Sequence, residues 1–72
     1  MAAPTQEWTP ADLYPVYESA RDEANAALAA WIVAPSGRKR DAFAVYRAAA
    51  DREDAAAIAW MEACAAPLAE AA

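Results

Sequence analysis

The stretch Trp31-Ile32-Val33-Ala34-Pro35-Ser36-Gly37-Arg38-Lys39-Arg40 decides the architecture. Its centre, Pro35-Ser36-Gly37, cannot continue a helix: Pro35 fixes one dihedral and removes a backbone donor, while Gly37 is free to take positive φ. On both sides lie long segments dominated by alanine, which has the highest intrinsic helix propensity and loses no side-chain entropy. Alanine supplies 25 of the 72 residues. β-branched residues are few and never alternate over a useful length, so no strand competes. A three-residue turn between two long helices forces them antiparallel and adjacent.

Working outward towards the N-terminus, Trp8-Thr9-Pro10-Ala11-Asp12-Leu13 carries the start signals of a helix. Thr9 is an N-cap, Pro10 takes the first helical position, Asp12 the third, and Trp8 with Leu13 can form a hydrophobic staple. The expected layout is an extension over 1–8, a first helix over 9–34 kinked near Pro15, and a turn over 35–37. A second helix over 38–66 and a tail over 67–72 complete it, because Pro67 disfavours helical backbone at Ala66. One apolar stripe of the first helix steps by four and three through Leu13, Tyr17, Ala20, Ala24, Ala27, Trp31 and Ala34. The stripe assigned to the second helix is Phe43, Tyr46, Ala50, Ala57, Met61, Cys64 and Leu68, interrupted by Asp51-Arg52-Glu53-Asp54.

With the turn centred near residues 35 and 36, residues whose numbers sum to about 71 should lie opposite each other. Leu28 and Trp31 then meet Phe43 and Tyr46 beside the turn. Trp8, Leu13, Tyr14 and Tyr17 meet Ile58, Trp60, Met61 and Cys64 at the open end. Between the two ends lies an alanine waist. A lone hairpin has a single contact plane, and alanines return little burial energy apiece. The expected fold is therefore all-α: an antiparallel two-helix hairpin that completes a four-helix bundle by dimerisation, or docks on another protein. The anchors of that interface are expected to be Trp31, Tyr46, Trp60 and Met61, large side chains whose burial one hairpin cannot finish.

Charge divides the chain into three blocks. Residues 1–35 carry −4, residues 36–50 carry +3 and residues 51–72 carry −4, for a net charge of −5. The cationic block, Arg38, Lys39, Arg40 and Arg47 with Phe43 and Tyr46 interleaved, offers an alternative function: recognition of a phosphate ligand or nucleic acid. It also fits a plainer role beside the negative C-terminal end of the first helix, although it opposes the positive start of the second. A further alternative is an acidic nucleic-acid mimic acting on a basic partner. Glu18 and Asp22 face Asp51, Glu53 and Asp54 in this register, but helical carboxylate metal sites normally add histidines, and the chain has no His. Solvated carboxylates paired with Arg21 and Arg52 are the preferred reading, with no metal and no cofactor. Trp31, Phe43 and Tyr46 near Arg47 are of a type that stacks planar ligands, but their helical spacing favours ordinary packing.

Catalysis has little to stand on. Cys64 has no base to deprotonate it and reads as a small core residue. Ser19 and Ser36 lack an orienting partner, and one glycine cannot build a phosphate-cradling loop. A lone cysteine forms no disulfide framework and suggests a reducing, cytoplasmic setting. The residues before Thr9 do not resemble a secretory signal, and the near-apolar run from Ala26 to Ala34 is about half of the ~20 residues that cross a bilayer. Abundant alanine with one Lys and one Asn is the bias of a GC-rich bacterial or phage coding sequence. No family motif is present, so fold analogy supplies no function. The function expected from these residues is a small acidic, non-enzymatic interaction or regulatory module that self-associates or docks through an apolar helical face.

Overall fold

The computed structural model describes residues 8–71, with the backbone alone for 66–71. Two α-helices, α1 (Pro10–Val33) and α2 (Lys39–Ala71), are joined through a 3₁₀ turn over Ser36–Arg38. No strand occurs among the described residues. The helices pack along their lengths as a hairpin, and the molecule measures 53 × 25 × 16 Å. Its radius of gyration is 16.6 Å, against about 11 Å for a compact domain of this length. The shortest dimension is little more than one helix with its side chains. The protein is a single layer, two helices wide.

The start of α1 follows its sequence signals. Thr9 Oγ1 accepts from the Asp12 backbone N–H at 3.1 Å, and the Asp12 carboxylate accepts from the Thr9 N–H at 3.1 Å. This reciprocal capping box satisfies two otherwise orphan donors. α1 runs through Pro15 as one continuous helix. Pro15 forfeits one bond to the Ala11 carbonyl, and the flanking turns absorb the loss. Likewise α2 runs past the expected end at Ala66, through Pro67 to Ala71. Of the expected extension over 1–8, residues 1–7 lie outside the described residues, as do residue 72 and the side chain of Leu68.

The bend differs from expectation in its mechanics. Gly37 does not use positive φ; the turn is right-handed 3₁₀ backbone, closed by Arg38 N–H donating to the Pro35 carbonyl at 2.8 Å. The extra 3₁₀ turn shifts the register. Trp31 meets Phe43, Tyr14 meets Trp60 and Glu23 meets Arg52, so facing numbers sum to about 74 rather than 71.

The side of α1 that faces its neighbour is the one its spacing indicates: Leu13, Tyr17, Ala20, Ala24, Ala27 and Trp31 are all buried or half-buried. In α2 the expected stripe is half-buried at Tyr46, Ala50 and Ala57 but leaves the seam by Met61. Tyr46, Ala49, Glu53, Ala56, Trp60 and Ala63 are buried or half-buried and step by four and three like the stripe of α1, with Ala42, Ala50, Ala57 and Ala59 half-buried beside them. Met61 and Cys64, expected on the seam, are exposed. Among the described residues the buried ones are Ala24 (3% exposed), Ala27 (9%) and Ala49 (2%). Tyr46 packs against these three.

Candidate interaction surface

Two aromatic clusters sit at the ends of this alanine seam. Beside the turn, Trp31 stacks on Tyr46 with centroids 5.8 Å apart and 10° between planes, and tilts against Phe43 at 4.8 Å. At the open end, Trp60 stacks on Tyr17 at 5.5 Å and 16°, and tilts against Tyr14 at 4.9 Å. Offset or tilted ring pairs at these distances are favourable beyond simple burial. Each cluster carries a cation over one ring: Arg21 over Tyr17 at 5.7 Å, and Arg47 over Phe43 at 5.9 Å.

Of the four expected anchors, three lie in these clusters. Trp31, Tyr46 and Trp60 are half-buried within their own hairpin, and only Met61 stands outside the seam. The two ends are thus more self-sufficient than the spacing of large residues implies. Ile32, Val33, Val45, Ile58 and Met61, by contrast, are largely exposed.

The four candidate phosphate contacts divide in a similar way. Lys39 Nζ donates to the carbonyls of Trp31 at 2.7 Å and Ile32 at 2.8 Å. It thereby caps the C-terminal end of α1, whose own last turn contains no base. The opposition between a lysine and the positive start of its own helix is resolved by swinging the ammonium across the bend. Arg38 and Arg40 remain exposed at the turn, and Arg47 lies over Phe43. Sequence reasoning located the cations near this helix end; the specific clamp could not be read, because it depends on the 3₁₀ register.

The acidic residues do not converge. Among the described residues no three Asp, Glu, Cys or His side chains come together as a metal site. The ion pair across the hairpin is Arg52 with Glu23 at 3.6 Å, both side chains 59% exposed. Glu53 turns towards the seam and stays half-buried.

The hairpin has two broad sides. One carries two shallow grooves, the first lined by Val16, Ala20, Glu23, Arg52 and Ala56, the second by Ala30, Val33, Arg38, Asp41 and Val45. The seven-residue spacing of Val16, Glu23 and Ala30, and of Val45 and Arg52, places both grooves on the same side. The other side carries Tyr14 and Ile32 on α1 and Phe43 and Met61 on α2. Each of these pairs is 18 residues apart, five whole helical turns. The four side chains therefore mark the corners of a rectangle roughly 27 Å long. No helix among the described residues is long and apolar enough to cross a membrane. No protein-family model, curated protein or solved structure matches the chain.

Proposed function

We propose that this protein is a non-enzymatic interaction module whose hairpin is half of a helical bundle, the remaining layer being supplied by a second protein surface. One observation carries the reading: among the described residues the core contains three alanines and no large side chain. An accessible surface of 5523 Å² exceeds by roughly 1,200 Å² the ~4,300 Å² of a compact monomer of this mass. Exposed apolar side chains on a layer one helix thick are covered only from outside it. The same residues supply no nucleophile with a base and no cluster of metal ligands.

Phosphate recognition draws less support. Lys39 is committed to the α1 carbonyls, and Arg47 to a ring face. That leaves Arg38 and Arg40 as the outward cations of the Arg38-Lys39-Arg40 triplet.

Sedimentation equilibrium between about 1 and 200 µM, a span chosen to bracket micromolar association, tests the reading. The expected result is a mass above 7.6 kDa that rises with concentration and parallels helix content. A hairpin that stays folded and monomeric across the range, with no partner recovered by cross-linking, overturns it.

A further inference from the structure

Resting on the reading of the hairpin as half a bundle, we infer that the missing half is a second copy, seated on the Tyr14, Ile32, Phe43 and Met61 side with its turn at the opposite end.

The choice of side follows from what each would bury. Docking on the grooved side would desolvate the Glu23–Arg52 pair, which spans it in solvent, and desolvating an ion pair is costly. The opposite side offers Ile32 at 64% and Met61 at 60% exposure, with the flanks of Tyr14 and Phe43 beside them; its cations, Arg21 between Tyr14 and Ile32 and Arg47 beside Phe43, already lie over the rings of Tyr17 and Phe43. The broad face of the two-helix layer, about 36 Å long over the 24 residues of α1 and 25 Å wide, is large enough for the ~800 Å² per partner that a stable interface buries. The excess surface of each copy is of the same order.

The apolar corners alone do not fix the orientation. With turns at opposite ends, α1 lies on its own copy and Ile32 meets Tyr14, while Phe43 meets Met61. With turns at the same end, α1 lies on α2, so Ile32 meets Phe43 and Tyr14 meets Met61. Both arrangements bring large apolar groups together. Charge separates them. The turn end carries Arg38, Lys39, Arg40 and Arg47 against Asp41, whereas the open half carries Asp12, Glu18, Asp22, Glu53, Asp54 and Glu62 against Arg21, besides the Glu23–Arg52 pair that neutralises itself. Turns at the same end would place like blocks together; turns at opposite ends set each cationic block alongside an anionic one. The self-complementary surface this needs is that of a two-fold dimer.

Two measurements test the inference on the full chain. Ser36→Cys in a Cys64→Ala background places one spin label at each turn. Opposed turns predict a label separation of about 40 Å, from 1.5 Å per residue over the distance to the middle of the rectangle and back. Turns at the same end predict less than about 20 Å, the diagonal of a bundle of helices 8–10 Å apart with its labels. Separately, Ile32→Glu and Met61→Glu should each weaken dimerisation about 100-fold by burying an unpaired charge. Val33→Glu and Val45→Glu, on the grooved side, should change it less than about threefold. All four positions are exposed in the hairpin, and helix content measured at the same concentrations separates loss of association from loss of folding. A dimer with a short separation, or one sensitive to Val33 and Val45 instead, overturns this inference and leaves the proposed function standing. A folded monomer whose surface is covered by another protein overturns the second copy alone, and a folded monomer with no partner overturns both.

Discussion

The waist of the hairpin and its two ends solve the packing problem in opposite ways. At the waist Ala24, Ala27 and Ala49 are buried, yet each contributes a single methyl group. At the ends Trp31, Tyr46, Tyr17 and Trp60 are large and are buried only in part. The cause is geometric. The separation of two helix axes is limited by the side chains that meet between them, and alanine against alanine permits the low side of the usual ~8–10 Å range. A ring does not fit between axes held that close, so it slides to the flank and lies on another ring. Close approach and deep burial of large residues are therefore alternatives within a two-helix layer.

The sharpest way to break this comparison is at the waist. Ala49→Leu forces the axes apart along the whole seam and disturbs both stacks, so we expect about 3 kcal/mol of destabilisation, at the upper end of overpacking effects. Urea unfolding followed by circular dichroism measures it. A loss below about 1 kcal/mol would mean that the waist does not set the spacing. Next comes Trp31→Ala at the turn end. Removing a fully buried aromatic costs about 3–5 kcal/mol, so a half-buried one should cost about 2 kcal/mol, with the near-ultraviolet signal of the Tyr46 stack lost at the same time. If this variant proves more harmful than Ala49→Leu, the ends and not the waist hold the hairpin. The smallest effect expected is that of Lys39→Met, which keeps the aliphatic stem and deletes the ammonium. Loss of two charge-assisted bonds at a partly exposed site should lower stability by about 1 kcal/mol, seen as a fall in the urea midpoint at unchanged slope.

The contrast between waist and ends also explains what could be read from residues alone. The capping box at Thr9 and Asp12, the turn after Val33 and the seven-residue rhythm of α1 are local, and each was legible. The α1 rhythm was easy because Leu13, Tyr17 and Trp31 mark it with large side chains. In α2 the run Asp51-Arg52-Glu53-Asp54 offers no apolar marker for a whole turn, and alanines on both sides fit any phase. Carrying the four-and-three step from Tyr46 through Ala49 and Glu53 reaches Trp60 and leaves Met61 and Cys64 outside. That step requires accepting an acid on the seam, which a half-buried Glu53 makes physically acceptable because its carboxylate can still reach water. At the candidate surface, the cationic residues were visible as a block, but only the register of the bend shows that Lys39 serves α1 while Arg38 and Arg40 stay outside.

The shortness of the bend also imposes an order of assembly. Trp31 and Phe43 are 12 positions apart along the chain, whereas Tyr14 and Trp60 are 46 apart. The logarithmic growth of loop-closure entropy makes the second encounter costlier by about 1.2 kcal/mol if nothing has formed before it. Zippering outward from the bend avoids that penalty. Nucleation belongs to the ring cluster around Trp31, and the last contacts to close, and first to fray, are those around Trp60.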